Sequence, residues 1–163
     1  MNSKIAFLDR DGTLIENAHY LSDPAGVKLL AGTVSGLLDL RRLGFRLVMV
    51  SNQSGVGRGY FAESAVHRVN QRLQDLLEVH GAQLDLLLFC PHQPEANCRC
   101  RKPQPGLVEE ACRRLGLGLE GAIVVGDSDC DMQLARGLGI PGYRVGTVEL
   151  DGLDGLARLL NQL

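Results

Sequence analysis

Residues 5 to 13 read Ile5-Ala6-Phe7-Leu8-Asp9-Arg10-Asp11-Gly12-Thr13. Four uncharged apolar residues ended by acids and a glycine predict a strand buried on both faces, with Asp9 at its C-terminal tip. Such tips are where open α/β sheets bind ligands. Asp9 and Asp11 are two apart, so backbone that stays extended sends both carboxylates to one side, and Gly12 lets the chain turn away. Two carboxylates that close repel, and each would be harder to ionise unless a cation sat between them. A hard, oxygen-ligated ion such as Mg²⁺ suits that position. The plainer alternative is an Asp-Gly turn after an edge strand.

Outward from this stretch, apolar runs recur at Phe45 to Val50, Leu84 to Phe89, Ala122 to Val125 and Gly142 to Val145. Between them lie stripes of helical spacing: Val34, Leu37 and Leu38; Val66, Val69, Leu73, Leu76 and Leu77; Leu107, Val108, Ala111 and Leu115; Met132, Ala135 and Leu138. Pro105 suits a first helical turn. Leu153, Leu156, Leu159 and Leu160 predict a last helix, expected to cap the sheet edge. Strands alternating with helices predict an α/β fold, a three-layer Rossmann-like parallel sheet, because parallel strands need crossovers and helices then cover both faces.

The 163 residues fit a single domain spanning 1–163, and folding at that size buries roughly 70% of the unfolded surface. A net charge of −2 gives no basic footprint for nucleic acid. No apolar run approaches the roughly 18 residues of a membrane span. Lys4 is followed by only four apolar residues before Asp9, too few for a secretory h-region. The expectation is therefore a cytoplasmic monomer with reduced thiols, whose five cysteines need a non-disulfide account.

Cys90-Pro91-His92 and Cys98-Arg99-Cys100 supply three thiols and an imidazole in the one irregular stretch, Cys90 to Gln104. Cys₃His is a closed tetrahedral zinc shell with no open position for a catalytic water, so a structural Zn²⁺ is expected, stapling a loop that has no helix or strand to order it. Cys112 and Cys130 read as small buried residues. Arg101 and Lys102 follow at once, so the metal would hold two cations in place. Ser51 ends the second strand and opens the glycine-rich run Asn52-Gln53-Ser54-Gly55-Val56-Gly57-Arg58-Gly59-Tyr60-Phe61, whose backbone N–H groups could face an anion. A flexible connection is the alternative there.

The fourth strand ends Gly126-Asp127-Ser128-Asp129-Cys130-Asp131. Read as a calcium loop from Asp127, it offers Met132 and Leu138 where Gly and Glu are needed. Gly116-Leu117-Gly118-Leu119-Glu120-Gly121 matches a dinucleotide fingerprint by letter but precedes a strand instead of following one.

Asp9-Arg10-Asp11-Gly12-Thr13 resembles the first motif of the haloacid dehalogenase superfamily of phosphatases. Ser51, Lys102 and Asp127 fall where its second, third and fourth motifs stand. The resemblance covers essentially the whole chain. It implies Asp9 as nucleophile, Asp11 as general acid and base, Ser51 and Lys102 on the phosphoryl group, and Mg²⁺ held by Asp9, the Asp11 carbonyl and Asp127. It also places the first strand centrally, between those carrying Ser51 and Asp127.

Within the superfamily, Ser51 to Phe61 is similar to the heptose bisphosphate phosphatase branch, and Arg101 resembles the substrate-reading arginine of the heptose and histidinol phosphatases. That likeness implies substrate contacts at Asn17, His19, Tyr20, Asn52, Gln53, Ser54, Arg58 and Arg101. The space between the first two strands leaves no room for a large cap. The implied reaction is loss of the 7-phosphate from D-glycero-D-manno-heptose 1,7-bisphosphate through an aspartyl phosphate, so the expected partner is a small phosphorylated sugar. The spacing from His92 to Cys98 is similar instead to the histidinol-phosphate branch. A non-enzymatic zinc-stapled binding module is the alternative of another class; it would bind without Mg²⁺ and release no phosphate.

Overall fold

In a computed structural model that describes residues 3–162, the opening apolar run forms β1, Lys4–Leu8. Residues 1, 2 and 163 of the expected 1–163 unit lie outside it. Side chains alternate along a strand, so Ile5 and Phe7 enter one apolar core while Ala6 and Leu8 enter another on the opposite face. All four are fully buried, which is why this stretch carries no polar residue before Asp9.

The other strands are β2 (Phe45–Asn52), β3 (Leu86–Cys90), β4 (Ile123–Gly126) and β5 (Gly142–Arg144). They form one parallel sheet in the order β3-β2-β1-β4-β5, with Phe7 opposite Val48 on one side and Val124 on the other. The expected central position of β1 is therefore observed. Helices α1 (Thr33–Arg42) and α2 (Glu63–Glu78) pack on the face of Ala6, Leu47 and Met49 through Leu37, Leu40, Val69, Leu73 and Leu77. Helices α3 (Gly106–Leu115) and α4 (Asp129–Leu138) cover the face of Phe7, Val48 and Val50 through Leu107, Val108, Ala111, Leu134 and Ala135. Each such buried Leu, Val, Phe or Met side chain contributes about 1.5–3 kcal/mol of transfer free energy. The layers, not local helix propensity, hold the frame.

The predicted bounds shift at three places. β2 runs on to Asn52 because Ser51 and Asn52 pair with Phe89 and Cys90 of β3. β3 begins at Leu86 because the Gln74 side chain takes both backbone groups of Leu84, at 2.8 Å each. The last helix shortens to α5 (Leu156–Leu160); its Leu159 lines a cavity with Gly142 and Tyr143 of the edge strand β5, and it packs on α1 together with a 3₁₀ turn at Leu153–Gly155. Gly36 permits this: a Cβ there would run into the Leu153 backbone.

Between β1 and α1 the chain makes a small clasp. Glu16 N–H donates to Lys28 O at 2.8 Å and Leu30 N–H to Leu14 O at 3.1 Å, so residues 17–27 are held out over the C-terminal end of the sheet. Among the described residues there is no large cap. Among the described residues, no helix is long and apolar enough to cross a membrane.

Candidate active site

Because β1 sits between β2 and β4 in parallel register, the residues that follow these three strands come together at one end of the sheet. The Asp9 N–H is fixed by Val125 O at 2.9 Å. Its carboxylate accepts from Lys102 Nζ at 2.8 Å, across a sequence separation of 93. Lys102 Nζ also donates to Asp131 Oδ1 at 2.7 Å, and Asp131 Oδ2 takes both the N–H (3.3 Å) and the hydroxyl (2.7 Å) of Ser128 at the start of α4. The lysine side chain is only 2% exposed. Burial works against its charge, but Asp9 and Asp131 outweigh that and hold it above the ordinary lysine range.

Asp9, Asp127 and Asp131 each place an oxygen within 4.8 Å of the others. Gly12, at φ 80°, brings the turn after β1 so near that a Cβ would overlap the Asp127 carboxylate. Burial pushes the Asp9 carboxyl up; Lys102 pulls it back, Asp131 and Asp127 add to the rise, and the balance lies at about 7. Three acids around one lysine leave negative charge uncompensated in a place water barely reaches. A divalent, oxygen-ligated cation fits that donor set.

Asp11, Ser51 and Gln53 form a second group. The Gln53 amide donates to Ser51 Oγ at 2.7 Å and to Asp11 Oδ2 at 3.0 Å, so both of its hydrogens are engaged. With Gln53 on a lone pair of Ser51, the serine O–H stays free to donate elsewhere. The Asn52 side chain reads the backbone of Lys102, accepting from its N–H at 2.9 Å and donating to its carbonyl at 3.1 Å. Asn17, His19, Tyr20, Asn52, Gln53 and Ser54 line one cavity of about 220 Å³ with Asp11. Tyr20 meets His19 edge-on at 4.4 Å and Tyr60 at 4.8 Å.

Arg58 is exposed, its Nε 3.4 Å from Ser54 Oγ. Arg101 donates to His92 O at 3.4 Å and lines a different cavity of about 390 Å³ with Arg99 and Lys102. Neither arginine lines the pocket of Asp11.

The zinc candidates converge. Cys90 Sγ lies 3.0 Å from Cys100 Sγ and 3.6 Å from Cys98 Sγ, and His92 Nδ1 is 3.2 Å from Cys100 Sγ and 3.4 Å from Cys90 Sγ. Zinc–sulfur bonds of about 2.3 Å give a tetrahedron with edges of about 3.8 Å, so this set needs only slight expansion to hold zinc. All the cysteines are free thiols. Burial raises Cys98, yet N–H donation from Arg101 and the neighbouring thiols prevail and bring it down to about 6, a ready thiolate; Cys90 is pushed up, foremost by burial. The knot braces the site through backbone bonds: Gln53 N–H to Cys90 O, Gly57 N–H to Pro91 O and Gly106 N–H to Arg99 O, each 2.8 Å.

Three residues escaped the sequence reading: Asp131, and behind Asp11 the buried Arg10, which bonds the Asp11 carboxylate, and Asn70, which accepts from Arg10. Ser128 and Asp131 stand at capping-box spacing, a signal that an acid there would turn back on the helix start. Nothing local marks Arg10 or Asn70.

Residues 99–151 match a family model described as HAD-hydrolase-like. A D-glycero-beta-D-manno-heptose-1,7-bisphosphate 7-phosphatase of Rhodopseudomonas palustris is 33% identical over 153 residues, 90% of this chain and 85% of that protein. The histidine biosynthesis bifunctional protein of Legionella pneumophila is 38% identical over 139 residues, 84% of this chain and 40% of that longer protein. The crystal structure of a D,D-heptose 1,7-bisphosphate phosphatase from B. bronchiseptica, complexed with magnesium and phosphate, superposes with a TM-score of 0.86 at 28% identity, covering 98% of both chains.

Proposed function

This chain belongs to the haloacid-dehalogenase-like hydrolases and is a phosphoric monoester hydrolase, and on that premise we propose that it removes the 7-phosphate of D-glycero-D-manno-heptose 1,7-bisphosphate. The observation that carries the chemistry is Asp9 at the tip of the central strand, fastened to buried Lys102 at 2.8 Å, two residues before Asp11, which lines the pocket.

In this reading one Asp9 oxygen attacks phosphorus, forming an O–P bond as the bond to the sugar oxygen breaks. Asp11 gives its proton to that departing oxygen, then takes one from the water that cleaves the aspartyl phosphate. Ser51, its lone pair held by Gln53, donates its hydroxyl hydrogen to a phosphoryl oxygen. Lys102 keeps Asp9 oriented and offsets the charge of the incoming dianion. Asp9, the Asp11 carbonyl and Asp127 would hold Mg²⁺, which when bound supplies charge neutralisation between carboxylate and phosphate.

The pocket of Asn17, His19, Tyr20 and Ser54 over Asp11 supports a polyhydroxylated leaving group. Arg58 and Arg101, which lie outside that pocket, are left in this reading to meet the second phosphate or the sugar hydroxyls. Histidinol phosphate is the second reading, favoured by the short span between His92 and Cys98 and by the Legionella match. Its amine would be repelled by the arginines, so heptose bisphosphate is expected to show the higher kcat/KM, and Arg101→Ala should erode that preference. Faster turnover of histidinol phosphate, or unchanged preference in Arg101→Ala, overturns the assignment.

Zinc in the Cys90, His92, Cys98 and Cys100 knot is structural in this reading. About one zinc per chain is expected by elemental analysis, with Cys98→Ser losing the metal, stability and activity together, because the Gln53 and Gly57 bonds rest on the knot. A zinc-free Cys98→Ser protein with unchanged thermal stability would contradict this.

A further inference from the structure

Arg10 is 1% exposed, the largest fully buried side chain among the described residues. A guanidinium stays charged in protein, and leaving it unpaired at such depth would be strongly destabilising. Its partners are few and directional. Nε lies 3.3 Å from Asp11 Oδ1 and Nη2 3.2 Å from Asp11 Oδ2, a side-on grip on both carboxylate oxygens. The remaining arm, Nη1, donates to Asn70 Oδ1 at 3.0 Å. Asn70 sits on the buried face of α2 between Val69 and Leu73, 5% exposed in an otherwise apolar stripe. An amide placed there is costly unless it is bonded.

We propose that Asn70 and Arg10 are positioning residues for the proton donor: Asn70 fixes the guanidinium, and its fork fixes the Asp11 carboxylate facing the pocket where the sugar oxygen departs. This rests on the reading of Asp11 as general acid. Gln53 restrains only Oδ2, so without the fork the carboxylate is free to rotate about that one bond. Neither Arg10 nor Asn70 lines the pocket, so both act through Asp11.

Leaving-group chemistry separates positioning from general support of the fold. An alkyl phosphate releases a poor leaving group that needs Asp11's proton as the P–O bond breaks. p-Nitrophenyl phosphate releases a phenol acidic enough to depart as its anion. The parameter kcat/KM reports steps up to formation of the phosphoenzyme, where the proton is given. With Mg²⁺ present, Asn70→Ala is expected to lower the ratio of kcat/KM for heptose 1,7-bisphosphate to that for p-nitrophenyl phosphate by about 10-fold, part of the 10²–10⁴ a general acid supplies. Asn70→Asp, which keeps an oxygen for Nη1, should restore the ratio. Arg10→Lys keeps the charge but lacks the fork, leaves α2 untouched, and should show the same selective drop.

Equal losses on both esters, or an unchanged ratio in Asn70→Ala and Arg10→Lys, would overturn the inference. Asp11→Asn is the control for its premise. If that variant lacks the selective loss on the alkyl ester, the acid assignment itself fails. If it shows the loss and the other two do not, only the positioning role falls.

Discussion

Replacing Asp9 by Asn is expected to lower phosphate release by at least about 10⁴-fold while leaving the fold intact, since nucleophile and positioned acid act as a unit. Asn has nearly the same shape, and its carbonyl oxygen can still accept the 2.8 Å bond from Lys102. What it lacks is a carboxylate oxygen able to attack phosphorus. Burial has already pushed the Asp9 carboxyl up to about 7, so holding it ionised opposes folding at neutral pH. The neutral amide removes that opposition, and denaturant unfolding without divalent cations should find Asp9→Asn no less stable than the parent. Rapid-quench detection of covalent phosphate provides the second readout, with signal in the parent and none in the variant. Substantial residual turnover would mean that water attacks phosphorus directly.

Lys102→Met is the contrasting case, expected to impair activity and stability together. The lysine is the single cation bonded to both Asp9 and Asp131 among the described residues. Its removal leaves two carboxylates facing each other in a nearly dry site, where breaking a buried pair costs about 3–5 kcal/mol. Urea unfolding should show a shift of that order, and kcat/KM should fall beyond the effect of lost stability because Asp9 loses its orienting partner. A variant as stable as the parent would show that the buried Lys102 pairs with Asp9 and Asp131 contribute little to the fold.

How far the sequence reaches differs from residue to residue. Asp9, Ser51 and Asp127 were legible because each follows a short apolar run, and a parallel sheet brings such tips together. Cys90, His92, Cys98 and Cys100 were legible because metal ligation is a local spacing. Asn52 and Gln53, expected to face the substrate, line the pocket of Asp11 and also support the site, their amides holding the Lys102 backbone and bridging Ser51 to Asp11. Composition cannot tell a ligand from its support when both are polar residues of one loop. Asp131 was hidden in an acidic run until the turn into α4 placed it against a lysine 29 positions earlier. Asn70 was less visible still, a polar letter in a helical stripe whose partner lies 60 positions away. Such pairs are set by how layers stack, and no local period records them.

The central place of β1 also governs when the protein acquires its chemistry. β1 precedes both of its neighbours in the sheet, β2 and the much later β4, with Phe7 opposite Val124. Ladder contacts between such distant segments require closure of a long loop and form late. A nascent chain that has made β1, β2 and the clasp holds Asp9 and Ser51, but it still lacks Lys102, and Asp127 and Asp131 come only after β4. Asp9, Lys102, Asp127 and Asp131 therefore come together only once β4 docks beside β1, which makes assembly of the reactive centre a late event in folding.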